Sequence, residues 1–256
     1  MRGNPLPPIR HPPFQIVAHR GASGEAPENT LPAFQLAWDE GADAIEGDFH
    51  LTADQRVVCI HDEDTGRVSD KSLPIERTDF ATLRGLDCGS WKSEAFAGAR
   101  IPSLTEFLDL VPPGKSALLE LKTGSKIVEP LLAELDQRPV DLSQLTFMSF
   151  QANALAELKG RRPQIEVRWL HEFCQPPDRE ALPFVIDTVR SCGASGVGLS
   201  ALPLPSRSFA QGLRKAGIDL HVWTVDDPDL ARRWIALGAA SLTTNHPSRL
   251  RQQLSR

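Results

Sequence analysis

The sequence holds only four cysteines and keeps them apart: Cys59, Cys88, Cys174 and Cys192 form no CxxC pair and no dense framework. That argues against a disulfide-stapled fold and against a thiolate zinc site, and leaves reduced thiols of a cytoplasmic protein as the expectation. No run approaches the roughly 18 to 20 apolar residues that a membrane span requires. The opening MRGNPLPPIRHPPFQ has too many prolines and too short an apolar run for a signal peptide. Positive charge is not in surplus: 28 basic against 33 acidic residues give a net charge of −5. Such a balance excludes the usual footprint of nucleic-acid binding, and a phosphate-bearing ligand would need cations supplied locally. Also missing is a GxGxxG opening a helix, which counts against a dinucleotide-binding sheet.

What is present fits an ordinary globular protein with a substantial core: 256 residues, 41% hydrophobic and 24% charged. Residues 1–13 read as a flexible Pro-rich lead-in and 14–256 as a single domain. From Phe14 onward short apolar runs alternate with amphipathic ones. FQIVAH, DAIEGDFHL, RVVCIH, SALLELK, LTFMSF, IEVRWLHEF, GVGLS, DLHVWTV and ASLTTN read as strands. Between most of them lie helical patterns, the first through LPAFQLAWDEGA, where Phe34, Ala37, Trp38 and Gly41 keep an i, i+3, i+4 stripe and Pro32 sits in the first turn. A loop-rich stretch of weak periodicity, about 63–100, interrupts the alternation. About eight strand–helix units predict an α/β fold of the (β/α)8 TIM-barrel type, with an open doubly wound sheet as the alternative.

Strand parity then sorts the charges. In AIEGDFHL, Ile45, Phe49 and Leu51 share one face while Glu46 and Asp48 share the other; in LLELK, Leu119 and Leu121 oppose Glu120 and Lys122. With the apolar faces on the helices, three carboxylates and a lysine point into the barrel near the C-terminal strand ends, where barrel active sites lie. His19 and Arg20 end the first strand and His61 ends VVCIH. Each alone has a plain structural reading, as a salt-bridge partner or a hydrogen-bonded strand-end histidine. Together, Glu46, Asp48 and Glu120 offer hard oxygen ligands suited to one divalent cation, Mg²⁺ or Ca²⁺ with Mn²⁺ also allowed, rather than zinc. His19 and His61 supply a general acid and base, and Arg20 and Lys122 fixed donors to a phosphate. That inventory is what cleavage of a phosphodiester needs.

The motifs carry a resemblance as well. HRG at 19–21, PENT at 27–30, GADAIEGD ending at Asp48, LT at 51–52, HD at 61–62, LELK at 119–122 and VWTV at 222–225 follow one another in the order of the glycerophosphodiester phosphodiesterase family, which the chain resembles from Val17 to Leu250. The resemblance implies a TIM barrel with an insertion after the second strand region, at about 63–100. It also implies hydrolysis of small glycerophosphodiesters, such as glycerophosphocholine or glycerophosphoethanolamine, to glycerol 3-phosphate and an alcohol. By motif position it makes His19 and His61 the acid and base, and Glu46, Asp48 and Glu120 the ligands of one cation. Arg20 would contact the phosphate with Lys122 close by, and Glu28 would support His19 or the metal site. Trp223 would line the pocket, against the alternative of a barrel-packing aromatic. Asn29 reads as the cap of the first helix.

Two departures stand out: Asn245 of LTTNHP occupies a place where the family often has Asp, and DEDTGRVSD follows His61 where a Leu precedes an Arg-Thr pair, with Arg67 as the residue left to serve there. The other histidines, His11, His50, His171, His221 and His246, are assigned no catalytic role. Beside the leading reading stand a lysophospholipase D-like activity, favoured if loop residues such as Trp91 and Phe96 expose apolar surface, and a non-catalytic phosphodiester-binding protein.

Overall fold

The computed structural model describes residues 14–255; the lead-in expected over 1–13 lies outside the described residues. The strands are β1 (Gln15–Ala18), β2 (Ala44–Leu51), β3 (Val57–Cys59), β4 (Ser116–Leu121), β5 (Leu145–Ser149), β6 (Glu166–His171), β7 (Gly196–Ser200), β8 (Asp219–Trp223) and β9 (Ser241–Thr244). The helices are α1 (Leu31–Asp39), α2 (Phe80–Arg84), α3 (Leu104–Asp109), α4 (Val128–Asp136), α5 (Ala152–Arg161), α6 (Leu182–Ser191), α7 (Arg207–Lys215), α8 (Pro228–Leu237) and α9 (Pro247–Leu254).

Strand β1 pairs in parallel with both β2 and β9, and this double pairing closes the sheet. Closure decides between the two architectures: the chain is a (β/α)8 barrel, and the open doubly wound sheet is set aside. The run RVVCIH does not join the ring. Its core, β3, lies antiparallel on the far half of β2, with Cys59 opposite Phe49 and Val57 opposite Leu51. Parallel barrel strands need a long crossover between them, and the few residues between β2 and β3 permit only a hairpin.

All eight residues of β2 are buried, because one face meets the barrel interior and the other the helices. Ile45, Phe49, Leu119 and Leu121 belong to the shared outer core, where Phe107 of α3 sets its ring edge-on to Phe34 at 4.8 Å and to Phe49 at 5.1 Å. Val17, Ala44, Leu118, Met148 and Leu170 fill the interior beneath the C-terminal strand ends, with Trp223 packed against them. The stretch 63–100 folds as the 3₁₀ turns Ile75–Arg77 and Glu94–Phe96 with the one-turn helix α2, over a small core of its own that includes Val68, Ile75, Leu83 and Ile101. Elements this short show little periodicity, which is why the pattern fades there.

Two local expectations at α1 need correction. The cap is Thr30, extended at φ −120° and accepting from the Ala33 amide, and not Asn29. Gly41 lies past the helix end at φ +77°, where its N–H bonds Trp38 and that of Ala42 bonds Ala37. Those two bonds form a Schellman stop, so glycine serves there by its left-handed backbone and not as part of an apolar stripe.

Candidate active site

Strand β2 sets Glu46 and Asp48 two residues apart on its inward face, and the parallel register places Glu120 of β4 directly beside Asp48. One oxygen from each of the three carboxylates falls within 4.8 Å of the others. The turn after β1 supplies the counter-charge. Arg20 sits in the left-handed region at φ 56°, so its N–H donates to Glu46 Oε2 at 2.9 Å while its guanidinium reaches Glu28 Oε1 at 2.8 Å and lies 3.1 Å from Asp48 Oδ2. Gly21 follows at φ +81°, and a Cβ there would stand 2.5 Å from the Ala33 backbone, so the turn presses directly on α1. Lys122, just past β4, donates to Glu120 at 2.7 Å and lies 3.4 Å from Asp48.

Asn29, released from capping and left-handed at φ 55°, holds Asp48 from both sides. Its amide donates to Oδ2 at 2.8 Å and its carbonyl accepts the Asp48 N–H at 3.2 Å. The Cys59 thiol donates to the same carbonyl at 3.2 Å, which keeps this sulfur engaged beside the carboxylates.

One guanidinium and one ammonium do not balance three buried carboxylates. Burial would raise Asp48, but Arg20, Lys122 and the Asn29 bond outweigh it and hold this carboxyl well below its ordinary range. Burial, reinforced by the charges of Asp48 and Glu120, pushes Glu46 well above the usual carboxylate value; burial and Asp48 push Glu120 upward too. A cluster whose carboxyls resist ionising together is suited to a divalent cation. The donors are hard oxygens throughout, which fits the magnesium and calcium class. Glu46, Asp48 and Glu120 are the residues that would hold it.

The two histidines are held differently. His19 donates Nδ1–H to Asn245 Oδ1 at 2.7 Å, with the Thr224 hydroxyl at 3.5 Å from the same nitrogen. Burial, aided by Arg20, lowers its pKa to about 4. His61 instead donates Nδ1–H to the carboxylate of Asp62 at 2.6 Å. The other Asp62 oxygen is gripped by Arg67 Nε at 2.6 Å, a bond that draws this carboxyl down to about 2. Arg67 then turns its two terminal nitrogens onto Glu28, at 2.7 and 2.8 Å. An unbroken chain of charge therefore runs from Asp48 through Arg20, Glu28, Arg67 and Asp62 to His61.

A cleft of about 140 Å³ opens over this ground, lined by His19, Arg20, Glu46, His61, Glu120 and Lys122 on one side. Met148, Phe150, Leu170 and Trp223 form the other wall. Phe150 meets Trp223 edge-on at 5.5 Å and is 43% exposed. The Trp223 indole nitrogen is buried without a hydrogen-bond partner.

The structure thus gathers His19, Arg20, Glu46, Asp48, His61, Glu120, Lys122 and Trp223 around one cleft. Glu28 comes within reach of Arg20 and Arg67 but makes no hydrogen bond to His19. Among the other histidines, His50 bonds the backbone carbonyl of His61 at 2.9 Å, and His221 lies in the cleft floor on Ser241 at 2.8 Å. His171 stacks on Trp169 at 4.7 Å, and His246 pairs with Glu25 at 2.7 Å. Sequence reasoning missed the grip of Asn29 on Asp48 and the place of Asp226, whose carboxylate bonds Thr244 and both nitrogens of Asn245. Its only signal was an acidic pair, VDDP, at the C-terminal end of a barrel strand.

The sequence profile of the glycerophosphoryl diester phosphodiesterase family matches residues 19–249. The chain belongs to that family. It is accordingly an enzyme, a glycerophosphodiester phosphodiesterase. Among its relatives is a glycerophosphodiester phosphodiesterase of Caldanaerobacter subterraneus subsp. tengcongensis, 29% identical, with 92% of this chain and 95% of the relative aligned. Another, from Bacillus subtilis, is 28% identical over 96% of this chain and 87% of its own. A solved Oleispira antarctica phosphodiesterase, in complex with the product sn-glycerol-3-phosphate, superposes with a TM-score of 0.85 at 26% identity, covering 94% of this chain and 97% of that one. None of the described helices of this phosphodiesterase is long and apolar enough to cross a membrane.

Proposed function

We propose that this phosphodiesterase hydrolyses small glycerophosphodiesters to glycerol 3-phosphate and an alcohol, by proton transfer between two histidines over a divalent-cation site. The observation that carries the reading is the unequal support of the two rings. A neutral imidazole with its proton fixed on Nδ1 exposes a lone pair at Nε2; burial and Arg20 keep His19 neutral, and the Asn245 carbonyl holds it in that tautomer. It acts as the base toward the nucleophile, either water directly or the neighbouring glycerol hydroxyl, whose cyclic phosphate water then opens. His61 rests instead on the Asp62 carboxylate, itself gripped by Arg67, which fixes the ring in place as a proton donor. It acts as the acid toward the leaving alkoxide. Arg20 and Lys122 bring positive charge to the phosphate, and their bonds to Glu28, Asp48 and Glu120 hold them in place without reorganisation. The chemistry a cation on Glu46, Asp48 and Glu120 supplies when bound is charge neutralisation at the nonbridging phosphate oxygens. The product named with the Oleispira structure, sn-glycerol-3-phosphate, supports the same leaving pattern.

The test is release of glycerol 3-phosphate from glycerophosphocholine and glycerophosphoethanolamine after EDTA treatment and with Mg²⁺, Ca²⁺ or Mn²⁺ restored. Release is expected only with metal; equal release in EDTA would refute the metal assignment. The apolar wall of Phe150, Met148, Leu170 and Trp223 favours a second reading, an acylated substrate of the lysophospholipid type. Trp91, although 42% exposed, bonds Cys88 and does not line the cleft, so the loop contributes little to that reading. Turnover of lysophosphatidylcholine above that of glycerophosphocholine would favour it.

A further inference from the structure

Between β8 and α8 the chain places Asp226, and between β9 and α9 it places Asn245; the two loops meet behind His19. Asp226 Oδ1 accepts the Asn245 N–H and the Thr244 hydroxyl, both at 2.8 Å, and Oδ2 accepts the Asn245 side-chain amide at 2.6 Å. A carboxylate can only accept, so the Asn245 NH₂ must face Asp226 and its oxygen must face the other way. There the oxygen receives Nδ1–H of His19 at 2.7 Å and the Ser23 hydroxyl at 2.9 Å. Every polar atom in this relay has one allowed direction.

We infer that Asp226 is a positioning residue for the reaction: by fixing which way the Asn245 amide points, it fixes the tautomer of His19 and so keeps Nε2 free to take a proton. The inference rests on the reading of His19 as the base. It also explains how the chain works with asparagine at 245. A carboxylate touching the ring would orient it equally well but would also favour its charged form. Here the carboxylate stands one residue further back, so orientation is kept while the group in contact with the ring is neutral. The charged groups that face His19 are Arg20 beside it, Glu28 from the loop before α1 and Asp48 from β2.

Asp226→Asn tests the relay with almost no change in shape. Its remaining oxygen can still serve the Asn245 N–H and Thr244, but its new NH₂ would meet the Asn245 NH₂, donor against donor. Turning the Asn245 amide over relieves that conflict and presents N–H to His19 Nδ1, which moves the ring proton to Nε2 and blocks the base. Asp226→Asn is therefore expected to lower kcat by about a hundredfold, the scale of a lost general base, with KM within about twofold and the thermal midpoint little changed. The exchange variant Asp226→Asn/Asn245→Asp restores a donor facing an acceptor and a carboxylate facing Nδ1–H. Its kcat is expected to recover to within about tenfold of wild type. The acid limb of its pH profile should lie about one unit higher, since the carboxylate now adjoins the ring.

His19→Ala, measured in parallel, separates the inference from the reading beneath it. Wild-type turnover in His19→Ala overturns the base assignment itself. An inactive His19→Ala with wild-type kcat in Asp226→Asn overturns the positioning role alone. A folded exchange variant as slow as Asp226→Asn would show that Asp226 only braces the loops, and overturns it too.

Discussion

At the scale of single residues, neighbouring groups in this site divide two tasks that substitution can separate. Glu46 and Glu120 oppose each other's charge in a buried setting and make most sense as partners of a cation, whereas His19 touches none of the carboxylates through a hydrogen bond. Replacing Glu46 or Glu120 by Gln removes one charge and leaves the shape, so metal affinity and turnover are expected to fall together, turnover by at least about a hundredfold. Replacing His19 by Ala is expected to remove turnover while metal affinity stays within about threefold, because the ligand set is intact. Equilibrium metal titration beside product release checks both, and a His19→Ala protein that no longer binds metal would contradict the division. The ligand and histidine positions were legible from parity and from the HRG and HD motifs. Their holders were not. Asn29 looked like a cap because an asparagine before a helix ordinarily is one, and only the neighbouring Thr30 took that place. Asp226 and Asn245 act on His19 across more than 200 residues of chain, a separation at which no periodicity survives.

At the scale of elements, strands and helices followed their periods closely, and the differences came where tertiary packing or hairpin geometry decides. The strand RVVCIH has a strand's composition whichever way it runs; only the short link after β2 makes it antiparallel. The β1–α1 junction shows how an element fixes a site. Gly21 lets the chain turn so that the Arg20 N–H reaches Glu46, and it does so against the Ala33 backbone. Gly41, at the other end of α1, has the same sign of φ, but a methyl group added there would meet nothing within 4 Å. Both Gly→Ala changes carry the left-handed cost of about 1 to 2 kcal/mol. Gly21→Ala adds a collision with backbone that cannot move without moving the helix. Gly41→Ala is expected to lower the thermal midpoint by a few degrees and leave kcat/KM alone, given about 2–4 °C per kcal/mol at this size. Gly21→Ala is expected to lower it further and to cut kcat/KM as well. Equal effects in thermal melts and in turnover would mean that the turn does not position Arg20.

At the scale of the whole molecule, the barrel divides into a charged side, built on β1, β2 and β4, and an apolar side, where Met148, Phe150, Leu170 and Trp223 come from β5, β6 and β8 and their ends. That division makes stability depend on pH from two directions. His19, His50 and His221 all titrate below the ordinary histidine value, chiefly because they are buried. As pH falls below about 6.5 the unfolded chain takes up protons that these folded rings refuse, so stability falls on acidification. Glu46 has the opposite sign. Its folded value is raised, so the stability linked to its proton is present at low pH and is lost as pH rises through that value. A cation on the three carboxylates replaces that proton and removes the loss. Metal-free protein is therefore expected to be most stable between the two limbs. A fixed concentration of Mg²⁺ or Ca²⁺ should raise its thermal midpoint more at higher pH, by about 5–10 °C where that concentration is a hundred times Kd. Thermal melts of EDTA-treated and metal-loaded protein across this range measure the difference, and calorimetric titration in two buffers of unlike ionisation enthalpy detects the released proton. A metal-induced gain that is the same at every pH, with no proton released, would show that Glu46 is already ionised without metal and that the cluster's excess charge is balanced in some other way.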